Sequence, residues 1–220
     1  MKLLEKSLFI FDFDGVIADS VEMKTEAFAL LFKEFGKEIV EKVVNHHISN
    51  GGVSRNQKFK YYHNQFLGIE IGDEELNSLC ERFSLLVKDK VISSRDIQGS
   101  KFFLEYLNRE NKICAINTGT PTEEIIEIIS RRGISAYFKM VLGSPQSKVE
   151  NLKEIILKFK KKKDEVIFFG DSTTDLEAAE ELGLDFVGVG SEIKLFNTGY
   201  KNITYIQDFK EIQERITPRH

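Results

Sequence analysis

Residues 8–15 read LFIFDFDG, four apolar side chains running straight into an Asp-x-Asp-Gly turn. A run that is apolar at every position marks a strand buried on both faces, as in a parallel sheet covered by helices on each side. Four more short runs share that character, at 113–116, 140–142, 166–169 and 186–189. Helical patterns lie between the later strands. One spans 102–108, one follows Pro121 with Ile125, Ile126, Ile128 and Ile129, and one carries Leu152, Ile155, Ile156 and Phe159. The last holds Leu176, Ala178, Ala179 and Leu182, with Gly183 as its stop. Strand–helix alternation implies right-handed crossovers and an α/β fold with a doubly wound parallel sheet. The stretch between the first two strands is far longer than a crossover needs. It shows helical patterns at 27–35 and 76–87 and no pair of strands, so it is read as an inserted α-helical cap over 18–94, the core being 1–17 and 95–220.

The chain has 220 residues, 41% hydrophobic and 30% charged, with a net charge of −4, which suits one globular core domain carrying a smaller insert. No basic face stands out, which argues against a nucleic-acid binder. The apolar run near the N-terminus is too short for a signal peptide and no small-residue cleavage site follows it. No run approaches the roughly 20 apolar residues that span a bilayer, so no membrane partner is expected. Cys80 and Cys114 form no C-x-x-C pair and read as apolar side chains in a reducing compartment, hence a cytoplasmic protein. The KFKKKKDE run at 158–165 reads as a solvated helix end.

Ligands of an open parallel sheet bind outside the carboxyl ends of its strands. Asp12, Asp14 and Gly15 follow the first strand, and Thr118-Gly119-Thr120-Pro121 follows the second. After the third, Gly143-Ser144-Pro145 leads to Lys148 near a helix start, and Gly170 to Asp175 follows the fourth. Each piece alone reads as a turn, a helix cap or, for Lys148, an exposed lysine; together they deliver polar groups from four strands to one edge. Four carboxylates at one edge repel one another and recruit a cation. Asp12, Asp14 and Asp171 offer hard oxygens, with no His or Cys nearby in sequence, which suits Mg²⁺. Lys148 and Thr118 supply donors for phosphate oxygens.

DFDGVIADS at 12–20, TGTP at 118–121, Lys148 and GDSTTD at 170–175 resemble the four signature motifs of the haloacid dehalogenase superfamily, over nearly the whole chain. The resemblance implies a Rossmann-like core with the helical cap of the phosphoglycolate phosphatase and β-phosphoglucomutase branch. It implies Mg²⁺-dependent phosphoryl transfer from a small phosphorylated metabolite. Asp12 is then the nucleophile that forms an aspartyl-phosphate, and Asp14 the acid–base group, whose backbone carbonyl also reaches the metal. Asp171 completes the metal ligands, with Asp175 as a further ligand or its support. Thr118, Gly119 and Lys148 hold the phosphoryl group, and Gly15 lets the backbone approach it. The acid at position 14 favours an oxygen leaving group over a halide.

On the cap, NGGVSR at 50–55 resembles a β-phosphoglucomutase loop, making Arg55 a candidate for an anion at the far end of the substrate. Lys24 stands where the mutase has a histidine, a second candidate substrate contact and a departure that weighs against mutase activity. His46, His47 and His63 read as surface or packing histidines. A phosphatase is expected, with a sugar phosphomutase as the alternative, in a monomer or weak dimer.

Overall fold

Strand β1 (Leu8–Phe11) has all four side chains buried, Phe9 and Phe11 in one apolar cluster and Leu8 and Ile10 in the other. It is a central strand of the sheet in the computed structural model, which describes residues 2–190 and 200–217. The other strands are β2 (Ile113–Pro121), β3 (Met140–Ser144), β4 (Val166–Gly170), β5 (Asp185–Val189) and β6 (Ile203–Ile206). All pair in parallel in the order β3-β2-β1-β4-β5-β6. The chain winds outward from β1 to β3, then returns to the other side of β1 with β4. Neighbouring strands β1 and β4 therefore send their following loops to opposite faces, opening a crevice between them.

Helices α7 (Lys148–Phe159) and α8 (Thr173–Leu182) cover one face through Leu152, Ile155, Leu176 and Ala179. Helices α5 (Ser100–Arg109), α6 (Thr122–Arg131) and α9 (Lys210–Ile216) cover the other. There Phe9, Phe11, Phe103, Phe169 and Phe209 form an aromatic block, with Phe11 stacked on Phe169 at 4.8 Å.

Before α5, the chain between β1 and β2 forms four helices of the insert: α1 (Val21–Leu31), α2 (Lys37–Ser49), α3 (Arg55–Tyr62) and α4 (Asp73–Ser93). They pack around Phe28, Phe32, Phe59, Tyr62 and Phe83, with Phe28 and Phe83 centroids 4.5 Å apart. Outgoing and returning chains lie side by side. Asp19 N–H donates to the Arg95 carbonyl and Ile97 N–H to that of Ile17, both at 2.9 Å. No helix among the described residues is long and apolar enough to cross a membrane.

The structure differs from the sequence reading in several places. β2 runs through 118–121, with its register to β3 shifting between Asn117 and Pro121. β6, at the sheet edge, exposes its two middle residues, Thr204 and Tyr205, so it lacked the continuous apolar signal. The pattern at 27–35 is the end of α1 followed by a separate 3₁₀ turn at Lys33–Phe35. Helices α2 and α3 had no counterpart in the reading. The lysine run at 158–165 does lie at a helix end: α7 stops at Phe159 and Lys160 caps it in the left-handed region.

Candidate active site

The carboxyl ends of β1 and β4 meet because the ladder continues one residue past the strand: Asp12 N–H donates to the Phe169 carbonyl at 2.8 Å. That fixes Asp12 beside the loop holding Asp171. One Asp12 carboxylate oxygen accepts from Phe13 N–H at 2.6 Å and the other from Lys148 Nζ at 2.7 Å. Lys148 also donates to Asp175. Asp175 is buried and closes a capping box with Ser172 at the start of α8, so the residue that starts the helix also anchors the lysine. The start of α7 is held by Asn117, which donates to the Lys148 carbonyl at 2.9 Å, and by Asn151, which bridges Asn117 and the Gly143 carbonyl. Lys148 thus projects from a fixed backbone.

Burial pushes Asp12 up to about 6, against the pull of the Lys148 ammonium. Burial, reinforced by the charges of Asp12 and Asp175, raises Asp171 well above the usual carboxylate range. Burial opposes the Lys148 ammonium, but the charges of Asp12 and Asp175 outweigh it and hold the proton more tightly than in an ordinary lysine. One cation thus faces three carboxylates. Ligand oxygens of Asp12, Asp171 and Asp175 lie within 4.8 Å of one another, and all are hard donors. The cluster fits a hard cation and lacks the nitrogen or sulfur of a softer site. Gly15, at φ 75°, abuts it: a Cβ there would come within 2.0 Å of an Asp171 oxygen.

Asp14 stands apart from that cluster. Its carboxylate accepts from Ser20 Oγ at 2.6 Å, Lys24 Nζ at 2.5 Å and Thr120 Oγ1 at 3.2 Å. Burial alone would raise its pKa, but the Lys24 charge and the three donors more than offset this and hold Asp14 below the ordinary range. Its side chain is thus engaged away from the oxygens of Asp12, Asp171 and Asp175. Lys24, expected to meet substrate, is committed to Asp14 and Thr120.

A cavity of about 530 Å³ separates this edge from the inserted helices. Asp12, Asp14, Thr118 and Asp171 line it from the sheet; Lys24, His47, Arg55 and Lys58 line it from the insert. The α2–α3 loop comes down onto the edge. A Cβ at Gly52 would meet Lys148 Nζ at 2.7 Å, and one at Gly119 would meet the Gly52 carbonyl oxygen at 2.7 Å. Gly119, expected to cradle phosphate, also seats the loop.

Arg55 lines the cavity as a residue already paired. Its guanidinium pairs through both terminal nitrogens with Glu124 of α6, at 2.6 and 2.9 Å, and donates to Ser84 at 2.5 Å. The charge expected to await a substrate anion already has a carboxylate, and the pair ties insert to core. His46 and His63 behave as expected: His46 stacks on Tyr61 and His63 bonds the Phe59 carbonyl. His47, read with them as a surface or packing histidine, is buried and lines the cavity; Lys58, which also lines it, was missed, and no local pattern marks it. Glu124 was missed because its partner is far away in sequence.

The sequence profile of haloacid dehalogenase-like hydrolases matches residues 9–189. The chain belongs to that family. Among relatives of this hydrolase, the phosphorylated carbohydrates phosphatase of Thermotoga maritima is 25% identical over 188 residues, covering 80% of this chain and 81% of that one. The phosphoglycolate phosphatase of Mannheimia succiniciproducens is 27% identical over 186 residues, 81% of this chain and 83% of that one. The crystal structure of β-phosphoglucomutase from Clostridium difficile shares the fold, with a TM-score of 0.76 at 19% identity over 96% of each chain.

Proposed function

We propose that this hydrolase is a cytoplasmic Mg²⁺-dependent phosphatase that releases phosphate from a small phosphorylated metabolite through a phosphoryl group carried on Asp12. The observation that carries the reading is the setting of Asp12, whose carboxylate is oriented by Phe13 N–H and Lys148 at the cavity floor. Phosphatase-named relatives covering about four-fifths of the chain support it. The phosphomutase alternative is not favoured, since mutases match only at the level of fold.

In this reading an Asp12 oxygen attacks phosphorus and the ester oxygen departs with a proton from Asp14. Water, giving a proton to Asp14, then attacks the phosphorus and frees Asp12. Lys24 keeps Asp14 ionised in the state described, which suits the second half; the first half requires Lys24 to yield Asp14 to a proton. Lys148 and Thr118 hold the non-bridging oxygens and keep the phosphoryl group over Asp12. Asp12, Asp171 and the Asp14 backbone would hold Mg²⁺, with Asp175 fixing the loop. When bound, the ion supplies positive charge opposite the phosphoryl oxygens.

The test is phosphate release from a panel of phosphorylated metabolites and from p-nitrophenyl phosphate, with Mg²⁺ and with EDTA. Wild type is expected to turn over only with the ion, and Asp12→Asn not at all. Full turnover in EDTA or by Asp12→Asn removes the mechanism.

A further inference from the structure

Three cations line the cavity from the insert, and two of them have carboxylate partners: Lys24 pairs with Asp14 and Arg55 with Glu124. Among the described residues, Lys58 has no carboxylate in an ion pair, although its side chain is almost fully buried. Its Nζ lies 2.7 Å from His47 Nδ1 and 5.6 Å from the Phe28 ring centroid. His47 is itself buried, and its Nε2 has no hydrogen-bond partner.

A buried cation without a counter-ion is costly, and a buried ring nitrogen without a partner adds to the cost. The two groups come from different helices, α3 and α2, and meet on the cavity wall. When Lys58 carries its full charge it must donate to Nδ1. The one proton of the neutral ring then sits on Nε2, as a donor with nothing to donate to. The pair offers an ammonium and an N–H together, and the missing piece is an acceptor with negative charge.

We infer that Lys58 and His47 form an anion-recognition subsite, so that the substrate is a phosphomonoester bearing a second anionic group on the portion that leaves. This rests on the phosphatase reading and narrows its substrate class. The anion is a carboxylate or a second phosphate, both of which take charge-assisted hydrogen bonds from an ammonium. The charges around the subsite agree with a vacancy for negative charge. Burial, followed by the repulsion of Lys24 and Lys148, lowers Lys58 to about 7, while Asp14 and Asp171 pull the other way and do not restore it. Burial and the Lys58 charge likewise lower His47 to about 3, keeping the ring neutral.

The test uses matched phosphomonoesters that differ only in the distal charge: phosphoglycolate against hydroxyethyl phosphate, and propanediol bisphosphate against hydroxypropyl phosphate. Phosphate release by the full-length, Mg²⁺-loaded enzyme gives kcat/KM for each. The charged member of at least one pair is expected to win by about 30-fold or more, the cost of truncating one side of a buried charged contact. The pair that shows this identifies the anion. Lys58→Met is expected to bring that ratio close to one, and Lys58→Arg to keep most of it. A wild-type ratio near one in both pairs, or an undiminished ratio in Lys58→Met, overturns the subsite while leaving the phosphatase reading in place. If Lys58→Met does not fold, the wild-type ratios and Lys58→Arg decide: a ratio lost with the charge retained overturns the subsite. If neither these esters nor p-nitrophenyl phosphate is hydrolysed, the phosphatase reading itself fails and takes the subsite with it.

Discussion

Replacing Lys58 by methionine should make the protein more stable, although it removes a buried hydrogen bond. The ordinary lysine value is 10.5, and burial followed by the neighbouring lysines brings Lys58 to about 7. A fall of about 3.5 pH units at about 1.4 kcal/mol each is roughly 5 kcal/mol of destabilisation by the charged form. The methionine forfeits the contact with His47 Nδ1 and the cation's attraction to Phe28, together about 1–2 kcal/mol. The net gain is about 3 kcal/mol, or roughly 6–12 °C in Tm for a chain of this size. Its pH dependence has a definite sign. Between pH 7 and 10.5 the unfolded chain holds a proton on this lysine that the folded chain does not, so wild-type stability falls as pH falls through that window. The advantage of Lys58→Met is therefore greatest below pH 7 and fades toward 10.5. Urea unfolding of both proteins at several pH values in that range measures it. A methionine variant less stable at neutral pH, or an advantage that grows with pH, would refute the reasoning.

Two other substitutions follow from the ion pairs. Glu124→Gln leaves Arg55 buried without its anion and should cost about 3–5 kcal/mol in urea unfolding; pairing Glu124→Leu with Arg55→Met should recover most of it. Simple additivity would deny the coupling. Lys24→Met removes the cation that holds Asp14 ionised, so the basic limb of the kcat/KM profile, which follows the Asp14 proton given to the leaving oxygen, should move up by about 1–3 pH units; an unmoved limb would separate Lys24 from the chemistry.

The core strands were legible because they are buried on both faces: LFIF at 8–11 has no polar position to confuse its period. The edge strand at Ile203–Ile206 was not, because Thr204 and Tyr205 face solvent and break the run. The carboxylate motifs were legible because each sits at a strand end, where backbone geometry alone brings it to the site. Lys24, Arg55 and Lys58 obey no such rule. Lys24 finds Thr120, and Arg55 finds Glu124, only after the insert has folded back on the sheet. Lys58 lies in RNQKFKYY, a helix that had no counterpart in the sequence reading. Its burial comes from Phe28 and His47 on two other helices, and no spacing in the sequence records that.

The contact of the α2–α3 loop with the sheet edge has a kinetic consequence. Gly52 itself brings only backbone to the contact, and the side chains it meets, Lys148 and Thr174, are bonded to Asp12, Asp175 and Ser172, so no loose side chain stands there to swing aside and let a molecule past. A passage on that flank opens only if the loop rises, and the loop is anchored in two helices packed around Phe28 and Phe59. Traffic through it is then governed by the friction of moving a helical unit through solvent. Turnover limited in that way slows in proportion to added viscogen and is indifferent to how good the leaving group is.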